Sequence, residues 1–257
     1  MTPLFDLTGK VALVTGSSRG IGRAMAEGLA MQGAKVVISS RKEDACAATA
    51  AEINAMVGAE RAFPIVGNAG RAAETEALVK ATRARLGPID ILVGNAAVNP
   101  HFGPMETLSD EAFDKIMGTN VRANLRLAQL CAPDMIARGE GSMIFTASIG
   151  AFKPSLEIGA YNISKLALIG LVRNLAAEYG PKGIRANAVC PGLIRTDFAR
   201  ALWEDPAREA AAVSHIPLGR LGEPEDFRGV AAFLASSASR YMTGQAVTLC
   251  GGSNMWA

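Results

Sequence analysis

Lys10-Val11-Ala12-Leu13-Val14-Thr15-Gly16-Ser17-Ser18-Arg19-Gly20-Ile21-Gly22 decides the fold of this chain. The apolar run 11–14 is too short for anything but a buried strand, and a helical pattern follows it through residue 30. Glycines at 16, 20 and 22 suit a tight strand-to-helix turn. A backbone without Cβ reaches strained dihedrals and lets a pyrophosphate approach the amides at a helix N-terminus. The spacing Gly-x-x-x-Gly-x-Gly is one residue longer than the common dinucleotide fingerprint, and a glycine triplet alone is weak evidence. Its context strengthens it, because a second apolar run at 35–39 closes a strand-helix-strand unit of about 30 residues.

The tetrapeptide Ser39-Ser40-Arg41-Lys42 bears on the cofactor. An acid accepting hydrogen bonds from an adenine ribose is expected about 20 residues beyond the loop, which falls near Ser40. A carboxylate there would repel a 2′-phosphate. Hydroxyls followed by Arg41, with Arg19 in the glycine loop, offer that phosphate a charge-assisted clamp, so NADP(H) is the expected cofactor.

At 257 residues the chain fits one α/β domain with a sizeable core. A formal net charge of +2 without a basic run gives no reason to expect nucleic acid or an anionic membrane as partner. Although 49% of residues are hydrophobic, no uninterrupted stretch reaches the length of a membrane span, and the N-terminus does not read as a signal peptide. Cys46, Cys131, Cys190 and Cys250 form no Cys-x-x-Cys pair, which suits thiols in a reducing cytoplasm better than a disulfide framework. With only His101 and His215 and no carboxylate cluster, no metal site is expected.

Further along, helical and strand patterns alternate: helix 43–57, strand 61–66, helix 71–86, strand 89–93, helix 109–136, strand 141–146, a helix running to residue 179, strand 184–189, helix 225–235 and strand 246–249. Such alternation predicts a doubly wound parallel sheet covered by helices on both faces, a Rossmann fold. Ligands of such sheets bind beyond the strands' C-terminal ends. Asn68-Ala69 lies at such an end, where Asn68 either meets the adenine edge or serves a left-handed turn. The loop carrying His101 and Phe102 has an aromatic that either lines a substrate pocket or caps the core. Asn120 interrupts a helix interior, where its amide competes for backbone bonds. Residues 198–213, with Trp203, form a helix between prolines, so that 195–217 is either a substrate lid or a packed surface element. Tyr161 and Lys165, four apart, share one helical face. That spacing alone is common on solvated helices; Ser148, ending a strand at the ligand edge, gives it meaning.

Taken together these residues resemble the short-chain dehydrogenase/reductase family over essentially the whole chain. The resemblance is carried by residues 15–22, Asn95-Ala96, Asn120, Ser148, Tyr161 with Lys165, and Pro191-Gly192, with Ser148 and Tyr161 at the family's 13-residue spacing. Phrases such as Ser39-Ser40-Arg41-Lys42, Leu202-Trp203 and 220–226 are similar to an NADPH-dependent branch acting on carbonyls and retinol. Gly94 and Ala97 depart from the family's Asn-Asn-Ala-Gly, Asn68 stands where aspartate is common, and the C-terminus has no peroxisomal tripeptide.

The resemblance implies an oxidoreductase acting on a small carbonyl or alcohol, assembled as a homotetramer. Tyr161 would be the general acid or base, Ser148 would donate to the substrate oxygen, and Asn120 would hold a water linking Lys165 to solvent. Lys165 would bind the nicotinamide ribose and make Tyr161 more acidic: an ammonium about 5 Å away at an effective dielectric near 20 is worth roughly 3 kcal/mol. Cofactor contacts are expected from Gly16, Ser18, Arg19, Gly20, Ile21, Gly22, Ser40, Arg41, Asn68, Ala69, Asn95, Ala96, Tyr161, Lys165, Pro191, Gly192, Ile194 and Thr196. Substrate contacts are expected from His101, Phe102, Ser148, Tyr161 and Trp203. Two other readings remain: a 3-oxoacyl carrier-protein reductase, with the same catalytic elements, and a non-enzymatic nucleotide sensor, which has no need of Ser148, Tyr161 and Lys165 together.

Overall fold

The apolar run at residues 11–15 forms β1 (Val11–Thr15), buried at every position. It centres a seven-stranded sheet, paired in parallel throughout, in the order β3-β2-β1-β4-β5-β6-β7. The computed structural model describes residues 3–154 and 156–255; the last two residues, on which the reading of the terminal tripeptide rests, lie outside them. The remaining strands are β2 (Lys35–Ser39), β3 (Ala62–Pro64), β4 (Ile91–Gly94), β5 (Gly141–Thr146), β6 (Ile184–Pro191) and β7 (Ala246–Leu249). The connecting helices are α1 (Gly20–Met31), α2 (Glu43–Val57), α3 (Ala72–Leu86), α4 (Asp110–Met117), α5 (Ala123–Arg138), α6 (Gly159–Tyr179), α7 (Pro206–Val213) and α8 (Arg228–Ala235). This is the expected Rossmann architecture. The order reverses at β1, so β1 and β4 diverge into crossovers on opposite sides and leave a crevice at their C-terminal ends.

Two cores follow from covering both faces. On one, Leu78, Leu127, Cys131, Leu168 and Val172 pack on β4, β5 and β6; on the other, Met25, Leu29, Ile53, Phe227 and Leu234 pack on β1 and β2. The second face is also pinned by charge. Glu27, 3% exposed, receives Arg23 Nε at 2.8 Å and Arg228 Nε at 2.8 Å, and a buried carboxylate needs such partners. This clamp joins α1 to α8 and fixes the direction of the helix that starts at the glycine loop.

Several expected boundaries change. The single helix at 109–136 is interrupted: Ser109 Oγ caps α4 by accepting from Ala112 N at 3.2 Å, but Gly118–Arg122 winds as a π-helical turn before α5. Such turns insert a residue into the helical ladder and recur at functional sites. The expected helix at 198–213 is two pieces, a 3-10 turn Asp197–Leu202 and α7, because Asp205 caps α7 through Ala207 N and Arg208 N and Pro206 begins it. The last helix likewise opens with a 3-10 turn, Pro224–Phe227. β3 is shorter than expected, although Ile65 N still donates to Ile38 O at 3.0 Å just beyond it, and Pro64 faces the sheet's open edge, where no N–H is needed. Among the described residues no helix is long and apolar enough to cross a membrane.

Candidate active site

The glycine loop folds back on β4, and this close approach explains its composition. Gly16 and Gly20 have φ of +66° and +58°, a region L side chains avoid. At Gly22 a Cβ would lie 2.4 Å from both Asn95 Nδ2 and Gly16 O. The Asn95 side chain is part of this close approach. Its Nδ2 donates to Thr15 O at 3.1 Å and Gly16 O at 3.0 Å, while its Oδ1 accepts from Thr146 Oγ1 at 3.1 Å. The side chain is consumed in tying β1, β4 and β5 together; Ala96 follows it, its N–H donating to Thr15 Oγ1 at 3.3 Å.

The other side of the loop is tied to β2 and α2. Ser17 Oγ accepts from Ser39 N at 2.8 Å, and Thr49 Oγ1 donates to Ser18 O at 3.0 Å. α1 begins at Arg19 with no side-chain cap and no acid in its first turn, which leaves its leading N–H groups and the positive end of its dipole for an anion. A loop this close to the helix, with no Cβ at 16, 20 or 22, fits a dinucleotide pyrophosphate. Ile21, beside it, packs partly into the α1 core.

Beyond the C-terminal end of β2, Arg41 is exposed. Ser40 Oγ lies 3.2 Å from Cys46 Sγ, and the Lys42 amide donates to it at 3.4 Å. Arg19 Nη1 pairs with Asp197 Oδ2 at 3.0 Å. Asn68 closes a turn, accepting from Gly70 N through Oδ1 at 3.0 Å, with Ala69 buried beside it. Its amide nitrogen is the part left to meet a ligand.

The chemical centre forms where β5 ends and α6 begins. Tyr161 and Lys165 point into one region, as their spacing required. The Ser148 side chain lies near enough to the phenol to draw its pKa down. Lys165 Nζ lies 5.2 Å from the Tyr161 ring centroid and donates to Thr146 O at 2.7 Å. Ser148 Oγ also accepts from Gly150 N at 3.0 Å, starting a 3-10 turn. One strand end and one helix therefore converge on one hydroxyl, one phenol and one amine.

The expected acidification of Tyr161 is not met by the chain's own groups. Burial pushes the phenol up, more than the Ser148 side chain draws it down. Burial also pushes Lys165 down, to about 7. The physical reason is desolvation, which penalises whichever form is charged and so moves acid and base in opposite directions. The phenol is held protonated. Cys190, which the sequence did not single out, lies close enough to both to interact electrically, its own thiol pushed up to about 11 by burial.

Asn120 is engaged with two other segments of the chain. Its Oδ1 accepts from Val98 N at 2.9 Å, and Nδ2 donates to Val98 O at 3.1 Å and Ser164 Oγ at 3.0 Å. Both amide protons are used, so a water at this side chain would be held through the remaining acceptor capacity of Oδ1. The π-helical turn turns this fully buried amide inward and makes it a brace between the β4 loop and α6.

Of the expected substrate residues, Phe102 is exposed on a loop that docks through Gly103 N to Glu157 O at 2.8 Å. His101 Nε2 lies 3.2 Å from Pro104 O in the same loop. Trp203 turns into its own segment: Nε1 donates to Thr196 O at 3.1 Å, and the Arg195 guanidinium lies 5.1 Å from its ring centroid. The aromatic beside the phenol is Phe198, centroid 5.9 Å from that of Tyr161 and tilted by 44°. Its one sequence signal was its place two residues after Thr196.

The loop after β6 completes the edge. Pro191 ends the strand, and Gly192 lets it run against Cys250, whose Cα would be 2.8 Å from an added Cβ. Ile194 is buried against Gly222, leaving its backbone as the part that can reach a ligand. Thr196 Cγ2 would stand 3.3 Å from a Cβ at Gly20, so the segment it begins abuts the glycine loop.

With this geometry in view, similarity to known proteins is specific. Residues 16–254 match the family model described as Enoyl-(Acyl carrier protein) reductase. The chain is 45% identical over 250 residues to "Dehydrogenase/reductase SDR family member 4" of Oryctolagus cuniculus, covering 96% of this chain and 94% of that protein. Among solved structures, a gluconate 5-dehydrogenase from Burkholderia cenocepacia in complex with NADP and tartrate superposes with a TM-score of 0.92 at 34% identity, covering 99% and 98% of the two chains. A 7 alpha-hydroxysteroid dehydrogenase complexed with NADH and 7-oxo glycochenodeoxycholic acid superposes with a TM-score of 0.92 at 34% identity, covering 97% and 96%.

Proposed function

The chain belongs to the short-chain dehydrogenase/reductase family, and from that premise we propose that this oxidoreductase interconverts a ketone or aldehyde and its alcohol with NADP(H). The observation carrying the reading is the convergence of Ser148, Tyr161 and Lys165 at the ligand edge of the sheet. When bound, the nicotinamide supplies the hydride equivalent exchanged with the carbonyl carbon. Residues 16–22 and the α1 N-terminus would hold the pyrophosphate, and Arg41 with Ser40 and Arg19 would meet the adenosine 2′-phosphate. Pro191, Gly192 and the backbone of Ile194 and Thr196 face the nicotinamide end.

Ser148 donates to the substrate oxygen, where negative charge grows during reduction. Tyr161 delivers its proton to that oxygen, and a phenol held protonated by burial suits the reductive direction. Lys165, braced on Thr146 O, presents its amine beside the phenol and toward the nicotinamide ribose. Asn120 positions α6. Residues 195–217 form the substrate-side cover, with Phe102 and Phe198 as apolar walls. Family resemblance supports a cytoplasmic homotetramer, which sedimentation tests.

The experiment is a screen of purified protein with NADPH against ketones, α-dicarbonyls, retinal and acyl thioesters, repeated with Tyr161→Phe. We expect retained NADPH binding and turnover lower by about 100-fold or more; a loss of only a few-fold removes the proton-transfer role. The second reading is a 3-oxoacyl carrier-protein reductase, supported to the extent that the matched family model's description also names an acyl carrier-protein substrate, and turnover of acyl thioesters alone would select it. Tight NADPH binding without turnover of any substrate would select a nucleotide sensor.

A further inference from the structure

We propose that Asp197 is a cofactor-specificity residue: it contests Arg19 with the adenosine 2′-phosphate and so moderates the preference for NADP(H) over NAD(H). The inference rests on the cofactor reading above and assigns it a residue outside the expected contact set.

Arg19 stands at the start of α1, in a loop held against β2 through Ser17 and Ser39. Its backbone is therefore held next to the strand end that carries Ser40 and Arg41. Its side chain reaches Asp197, with Nη1 3.0 Å from Oδ2. Thr196, packed against Gly20, brings Asp197 there.

Asp197 has a second partner, Arg200 Nη2 at 2.7 Å on Oδ1. Arg200 first, then Arg19, holds this carboxyl below the usual carboxylate range, so it stays charged at neutral pH. A guanidinium cannot give its full fork to a carboxylate and a phosphate on opposite sides of it. Binding a 2′-phosphate at Arg19 gives up the Arg19–Asp197 pair, whereas a ribose carrying only hydroxyls leaves it undisturbed. Both members of the pair are substantially exposed, 72% and 48% for the side chains, so the competition is modest and screened by salt.

Equilibrium titration of the full chain with NADPH and with NADH tests this, without substrate. Asp197→Asn is expected to tighten NADPH binding about two- to fivefold and to leave NADH binding unchanged, the gain shrinking in high salt. Arg19→Ala is expected to abolish the effect of Asp197→Asn. Glu204→Gln, which removes an exposed carboxylate of the same segment that does not pair with Arg19, is expected to change neither affinity. Equal tightening of both nucleotides, no tightening of NADPH, or a persisting effect in the Arg19→Ala background overturns the assignment of Asp197. Wild-type protein that binds neither nucleotide, or prefers NADH, overturns the cofactor reading and this inference with it.

Discussion

Asn120 Nδ2 donates to Ser164 Oγ at 3.0 Å, so a π-helical turn grips the helix that carries Tyr161 and Lys165. The same amide closes both hydrogen bonds of Val98. Asn120→Ala leaves buried donors and acceptors unpaired, and we expect a loss of about 2–4 kcal/mol in unfolding free energy. Turnover should fall more steeply than NADPH affinity, because the brace holds the catalytic helix and not the glycine loop. Chemical denaturation and nucleotide titration check the two halves; unchanged stability means the bonds contribute nothing net.

Lys165 makes stability depend on pH in an unusual direction. Its folded value, about 7, lies below the ordinary 10.5. Between those values the unfolded chain binds a proton that the folded chain releases, so stability rises with pH across that window. Below about 7 both states are protonated and the cost of burying the ammonium is fully present. Lys165→Met should therefore raise the melting temperature most near pH 6, with the advantage narrowing toward pH 10, while turnover collapses. Thermal unfolding of both proteins between pH 6 and 10 is the measurement; an advantage that widens with pH contradicts the burial argument.

Arg41 is exposed and Ser40 is engaged with Cys46, which leaves Arg41 as the freer cation at the end of β2. Arg41→Ala should cut kcat/KM with NADPH about tenfold and leave that with NADH within twofold, the scale of one charge-assisted contact to phosphate. Kinetics with both nucleotides decide it. An unchanged ratio, or wild-type protein that works as well with NADH, removes Arg41 from the cofactor site.

Gly22→Ala places a methyl 2.4 Å from the Gly16 carbonyl and from Asn95 Nδ2. Backbone on one side and a fully bonded amide on the other leave little room to relax. We expect a destabilisation of about 3 kcal/mol or more and loss of nucleotide binding. Calorimetry and titration report these separately; a variant of wild-type stability that still binds NADPH shows that the loop can yield.

What could be read from the residues was whatever local periodicity encodes. The runs at 35–39 and 246–249 became strands with unchanged boundaries, and the helix at 43–57 likewise, because burial on a sheet or along a helical stripe imposes a repeat visible within one segment. The meeting of Tyr161 and Lys165 was legible for the same reason, one helical turn being a local distance.

Tertiary structure decided what depends on groups far apart in the chain. The π-helical turn at Asn120 is favoured by Val98 and Ser164, 22 and 44 residues away. Asn95 was spent on the glycine loop, Trp203 on its own segment, and Phe198 came to lie beside the phenol. The charge states followed too: a sequence supplies the lysine and the tyrosine, but the desolvation that pushes one down and the other up exists only once the core has closed around them.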